Sequence, residues 1–228
     1  MSSFLSSAKN QRFTIVSVLG GIALVITAIV VFPHLFLALD TQLSFPAEMS
    51  SSDRAVYLQQ RHEALGMKDP GQDFSFVYQE IGTIRLALKD YDGATESFKR
   101  AHEGNPKGPG PYRGMALSAY YSNQNKIAER YFLDTLKLSP HRSEYWLELG
   151  ELYSDRLKDL IKAQNFYERA VRQNPGDSNV LQAYANFLGN KKNDFKKAIE
   201  IWKEIQKRNP DHAGDYNRVI EELRKKGS

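Results

Sequence analysis

Residues 143–177 read SEYWLELGELYSDRLKDLIKAQNFYERAVRQNPGD. Two amphipathic stretches lie within these residues, with a polar break near Arg156–Lys158. In the first, Trp146 is followed by Leu149, Gly150 and Tyr153; in the second, Ala163, Tyr167 and Ala170 recur, and Pro175 closes the run. Steps of three and four put each set on one face of a helix. Bulky residues stand beside very small ones on both faces, so two such helices can approach closely while the large side chains fill the space between them.

The same arrangement extends in both directions. Prolines stand at Pro106, Pro140, Pro175 and Pro210, spaced by 34, 35 and 35 residues. Twelve residues before each comes Ala94, Ala128, Ala163 or Ala198, and eight before each comes Phe98, Phe132, Tyr167 or Trp202. Five before are Ala101, Thr135, Ala170 and Ile205. Upstream, a large residue precedes a small one by four positions: Tyr78 and Gly82, Tyr112 and Ala116, Trp146 and Gly150, Leu181 and Ala185. A self-similar period of this length signals a stack of helix pairs, in which no unit buries its apolar face alone.

The pattern resembles the tetratricopeptide repeat family, over about residues 75–211. The resemblance implies an all-α solenoid of four helix pairs, at 74–108, 109–142, 143–177 and 178–212. Two spacings of 35 place an extra residue in the turns inside units three and four, around Arg156–Lys158 and Asn190–Asn193. Arg85 and Ala119 stand where an aromatic is expected, and Thr135 and Ile205 where a small residue is, so those interfaces should pack less regularly. Beyond Pro210, the residues Tyr216, Val219, Ile220 and Leu223 form a stripe that predicts a capping helix within 213–228. Residues 51–73 predict a short helix and a loop, either an amino-terminal cap or a spacer.

The amino-terminal part is a different object. Residues 13–39 hold no Asp, Glu, Lys or Arg, enough length to cross a bilayer as one helix. A cleaved signal peptide would have an apolar core of about half that length and a small-x-small site. Lys9 and Arg12 precede the segment, while Asp40, Glu48 and Asp53 follow it. Positive charge stays inside, so the expectation is a cytoplasmic tail at 1–12, a transmembrane helix at 13–39 and a linker at 40–50. The remainder would face outward, fitting a bacterial inner-membrane protein with a periplasmic repeat domain; no Asn-x-Ser/Thr acceptor suggests a secretory lumen.

The 31 Lys and Arg against 27 Asp and Glu give a net charge of +4, too balanced to indicate nucleic acid. With no cysteine, disulfides, thiolate metal sites and cysteine nucleophiles are excluded. His34, His62, His102, His141 and His212 are scattered without metal-ligand spacing, and no phosphate loop, nucleophile elbow or dinucleotide fingerprint occurs. The reading is therefore of no enzyme, no cofactor, no metal and no small-molecule substrate.

The family resemblance implies that a protein or peptide partner lies in a concave groove lined by the first helices. Carried onto this sequence, the lining residues are Phe76, Gln79, Thr83, Leu86 and Ala87, then Gly110, Arg113, Leu117, Tyr120 and Tyr121. Next come Glu144, Leu147, Glu151, Ser154 and Asp155, then Asn179, Gln182, Asn186, Gly189 and Asn190. The groove would grade from apolar and aromatic, through acidic and suited to a basic partner patch, to amide-rich. Gln79, Thr83 and Leu117 do not supply the basic clamp that binds chaperone carboxylates. Two roles stay open: a tethered scaffold in complex assembly, or a constitutive subunit of a membrane complex.

Overall fold

The structure is a computed structural model that describes residues 43–47, 49–66 and 74–228. The expected transmembrane segment at 13–39 lies outside these residues; among the described ones, no helix is long and apolar enough to cross a membrane. The chain divides into two units, at 1–67 and 68–228. In the first, helix α1 (Ser51–Gly66) begins where the Ser50 hydroxyl accepts a hydrogen bond from the Asp53 backbone N–H at 3.1 Å.

The second unit is all helix, with no strand among its described residues. Its order is α2 (Ser75–Ala87), α3 (Tyr91–Gly104), α4 (Pro109–Tyr121), α5 (Asn125–Leu138), α6 (Ser143–Glu151), α7 (Leu160–Gln173), α8 (Ser178–Phe187), α9 (Phe195–Arg208) and α10 (Ala213–Gly227). Each of α3, α5, α7 and α9 ends two residues before a periodic proline. The intervening Asn105, Ser139, Asn174 and Asn209 have ψ of 70–78°, outside the helical region. A proline ring clashes with a helical residue in front of it, so the helix stops there.

Small and large residues interlock as the period predicts. Ala94, Ala128, Ala163 and Ala198 are wholly buried, and Phe98, Phe132, Tyr167 and Trp202 nearly so. Phe98 sits between two glycines: a Cβ on Gly82 would meet its ring at 2.8 Å, and one on Gly114 at 2.4 Å. One core runs without a break from Ala116 to Leu223, while Ala94, Phe98 and Met115 form a separate cluster. Helix α10 closes the far end by burying Ile220 and Leu223 in the long core.

Thr135 and Ile205 are completely buried; the Thr135 hydroxyl donates to the Tyr131 carbonyl at 2.8 Å and so enters the core without an unpaired group. Arg85, in an aromatic's place, donates to the Gly93 carbonyl at 3.1 Å and to the Ser97 hydroxyl at 2.8 Å.

The extra residues fall between the two helices of units three and four, around the expected positions, and take the form of a π turn. All four pairs turn on a left-handed residue, Lys89, Asn123, Lys158 or Asn193, each with φ near 60°. In the first two, the next N–H reaches back five residues, from Asp90 to Arg85 and from Gln124 to Ala119. In the last two it reaches back six, from Asp159 to Tyr153 and from Asp194 to Leu188. The added residue is wound into a π turn at the end of the first helix, over Leu152–Arg156 and Leu188–Lys192. The next helix then starts from the same cap, with Asp90, Asp159 and Asp194 each accepting from the N–H three residues on.

Candidate interaction face

The first helices α2, α4, α6 and α8, with the two π turns that follow α6 and α8, carry the residues named from sequence, and nearly all of these keep some exposure. On α2, Phe76 is half exposed, and the Thr83 hydroxyl donates to the Gln79 carbonyl at 3.0 Å. Gln79 lies over α4, so near that a Cβ on Gly110 would meet its carboxamide at 2.4 Å. Leu86 is packed against the Phe98 cluster and serves the interior. Ser154 and Gly189 are buried and offer little to a partner.

On α4, Leu117 and Tyr120 rest against the long core while keeping one side open. Tyr121, 48% exposed, stacks on Tyr91 with ring centroids 6.3 Å apart and meets Tyr120 edge-on at 5.3 Å. The Arg156 guanidinium, from the first π turn, lies 4.7 Å from the Tyr120 ring and donates to Asn123 Oδ1 at 2.8 Å. This aromatic ledge therefore borrows a cation from the next repeat.

The acidic station on α6 is largely neutralised. Glu144 pairs with Arg142 at 2.9 Å, Asp155 with Lys191 at 2.9 Å, and Arg113 donates from Nε to Glu148 Oε1 at 2.7 Å. Glu151 is the one carboxylate of this column without an ion pair among the described residues. Burial raises the Glu148 acid above the usual carboxylate range although Arg113 opposes this; burial also raises Glu151, helped by Glu148 and Asp155. Asp155 moves down: its partial burial is outweighed by Lys191 and the Ser154 hydroxyl.

Sequence reasoning missed Glu148, Arg156 and Lys191. Glu148 was detectable, since Glu144, Glu148, Glu151 and Asp155 follow at steps of four, three and four. The two cations were not, because a π turn decides where they point.

On α8 the carboxamides of Gln182, Asn186 and Asn190 follow at steps of four, Asn190 lying within the second π turn. None of the three is engaged by another described residue, whereas Gln164, Gln206 and Asn209 all are. Asn179 sits at the start of α8, where its backbone N–H is held by Asp177. The second π turn and α10 flank a cleft of about 180 Å³.

Burial and Glu129 push the Tyr153 phenol up to about 12, and burial raises Tyr167 and Tyr120 too, so all three stay protonated at neutral pH. Among the described residues, no group of three acids or histidines is placed to hold a metal ion.

Residues 113–178 match the tetratricopeptide repeat family model. The chain is 26% identical over 151 residues to cellulose synthase 2 operon protein C of Komagataeibacter xylinus, covering 60% of this chain but only 12% of that protein. It is 27% identical over 128 residues to photosystem I assembly protein Ycf3 of Cyanophora paradoxa, covering 54% of this chain and 72% of that one. A thermophilic repeat protein of Thermus thermophilus superposes with a TM-score of 0.57 at 15% identity, over 75% of this chain and 93% of that one. The tetratricopeptide repeat family is thus supported by sequence in the middle of the chain and by fold over three quarters of it.

Proposed function

We propose that this chain is a membrane-tethered scaffold that holds an extended segment of a partner protein along its first helices, in the assembly or maturation of a membrane or envelope complex. The observation that carries the reading is the run of unengaged carboxamides at Gln182, Asn186 and Asn190, together with the open faces of Leu117, Tyr120 and Tyr121 two repeats earlier. Gln182 and Asn186, four α-helical residues apart, are offset by ~6 Å along α8, and two residues of extended chain span ~6.6–6.8 Å, so these two carboxamides match alternate peptide units. Each offers one donor group and one acceptor to a backbone that carries both. The leucine and tyrosines supply desolvated anchors, and Glu151 a place for a cation.

The tether is read from residues 13–39 and the charges flanking them, with the tail at 1–12 cytoplasmic and the repeats periplasmic in a bacterial inner membrane. Confinement beside the bilayer raises the scaffold's effective concentration for membrane-bound partners. The Ycf3 relative, which is named as an assembly protein, favours a transient assembly role over that of a permanent subunit.

The test is cross-linking in cells from a photoreactive residue at Asn186, compared between the parent and a Leu117→Ala/Tyr120→Ala/Tyr121→Ala variant. Capture of a discrete partner that falls in the variant, at unchanged helicity, is expected; equal capture by both removes the face from the function. Protease added after opening the outer barrier should digest residues 40–228, and full protection would reverse the topology.

A further inference from the structure

The last three hairpin turns and the end of α10 lie in a row along one edge of the second unit. Adjacent turns touch: Arg156 donates to Asn123 Oδ1 at 2.8 Å, and Lys191 pairs with Asp155 at 2.9 Å. A Cβ on Gly227, at the end of α10, would meet the Phe195 ring at the start of α9 at 3.2 Å. Along this row Lys126, Lys158, Lys192, Lys196, Lys225 and Lys226 make no ion pair among the described residues, and all but Lys192 are exposed. The aspartates of the turns are already engaged, Asp155 with Lys191, and Asp159 and Asp194 as caps of α7 and α9. Glu222, one turn before Lys226, offsets part of the charge. At the opposite edge Lys107, Arg172 and Lys207 are balanced by Glu103, Asp177 and Asp211.

Fold stability does not account for this row. The second residue of α3 is Asp92, which suits the positive end of the helix dipole. In α5, α7 and α9 the same position holds Lys126, Ile161 and Lys196, and none of these helices has an acid in its first turn. Both lysines oppose the dipole, and Ile161 is 74% exposed, the highest value for a large apolar side chain among the described residues. Neither the lysines nor the isoleucine serves its own helix, so what they serve lies outside the chain. Lys225 and Lys226, at the end of α10, suit their helix as well.

The residue types select the occupant. A second copy of this edge would set lysine against lysine. Nucleic acid draws on the planar fork of arginine and on aromatic stacking, whereas the unpaired cations of the row are lysines and its apolar tips are Ile127 and Ile161. An anionic bilayer needs only point charges at the level of the phosphates and an aliphatic side chain dipped between them. We propose that this edge rests on an anionic lipid surface, with the lysines at the headgroup phosphates and Ile161 entering the interface. The proposal rests on the membrane reading above and adds to the tether a second, reversible contact with the same bilayer.

The test uses the full-length chain in vesicles of phosphatidylcholine, alone or mixed equally with phosphatidylglycerol, carrying a spin-labelled lipid. The chain has no cysteine, so Asn165→Cys, one turn beyond Ile161, takes a single fluorophore. Quenching should be at least about threefold greater in the mixed vesicles and should fall back in high salt. Lys126→Glu/Lys196→Glu should abolish the difference while Tm holds or rises, because acids suit both helix starts; loss of contact through misfolding would lower it. Ile161→Ser should weaken quenching in the mixed vesicles at unchanged Tm. Equal quenching in both lipids, or a difference that survives the lysine substitutions, overturns the proposal, and flotation of the chain with phosphatidylcholine vesicles still reports the tether. No quenching in either lipid, with binding of polyglutamate instead, assigns the lysines to an acidic protein and equally overturns it. A chain that floats with neither vesicle overturns both the contact and the tether.

Discussion

Gly114 offers the sharpest test of how the repeats interlock. A methyl group there would stand 2.4 Å from two carbons of the Phe98 ring and 2.5 Å from a third, where ordinary contact begins at 3.4 Å. The ring must therefore give by about 1 Å, and it has little room, since Gly82 confines it on the other side, its own missing Cβ only 2.8 Å from the ring. Overpacking costs ~1–3 kcal/mol, and an overlap this deep against a confined ring falls in the upper half, ~2–3 kcal/mol. Alanine in place of glycine inside a helix returns ~1 kcal/mol. The expected net loss for Gly114→Ala is ~1–2 kcal/mol, a fall in Tm of about 2–8 °C for a chain of this size. Thermal unfolding followed by circular dichroism at 222 nm measures it. Gly150→Ala is the internal control: its Cβ would meet the Tyr167 ring at 3.0 Å, so strain and propensity nearly cancel. Pairing Gly114→Ala with Phe98→Leu should recover part of the loss. If Gly114→Ala melts at or above the parent temperature, the close approach of α2, α3 and α4 around Phe98 is wrong.

Three further outcomes follow from the ion pairs and the π turns. Arg113→Ala leaves the Glu148 carboxylate buried without its cation and should cost ~1–2 kcal/mol at pH 7, less than a fully buried pair because Arg113 is partly exposed. The folded-state Glu148 acid, already raised, rises further in this variant, so the folded chain holds a proton that the unfolded chain releases. The deficit relative to the parent should thus be full at neutral pH and close as pH falls below about 4; denaturant titrations at both pH values check this, and a constant deficit would contradict it. Glu151→Gln removes a carboxylate that burial and two acidic neighbours disfavour, so Tm should rise at pH 7 and not below about pH 4. Deleting Lys192 from the second π turn should convert it to the tighter turn of the first two repeats with little loss in Tm, whereas deleting Lys203 from the middle of α9 should abolish cooperative melting.

What could be read from the sequence was whatever repeats by side-chain size. The prolines mark the helix ends because the ring acts on the residue before it, and Phe98, Phe132, Tyr167 and Trp202 lie inside because their neighbours are too small to fill the space alone. Periodicity does not say whether an added residue enters a loop or a helix, since both keep the downstream faces in phase. The spacing therefore locates the extra residues before Lys158 and Asn193 without revealing that they form π turns. Arg85 shows another limit, as its place in the interior depends on the Gly93 carbonyl and the Ser97 hydroxyl, which no pattern of apolar residues records. On the candidate face, the carboxamides of α8 were foreseeable from spacing. The pairing of Arg113 with Glu148 and the cleft against α10 were not, because they depend on how neighbouring helices are rotated toward one another.

The π turns have a consequence for how such an array can be lengthened. Because the surplus residue is absorbed before the left-handed residue, the second helix of every unit starts two residues after it, whether the module holds 34 or 35 residues. Modules of either length are therefore interchangeable along the rod, and a gene duplication or an engineered graft could mix them freely without disturbing the neighbours on either side.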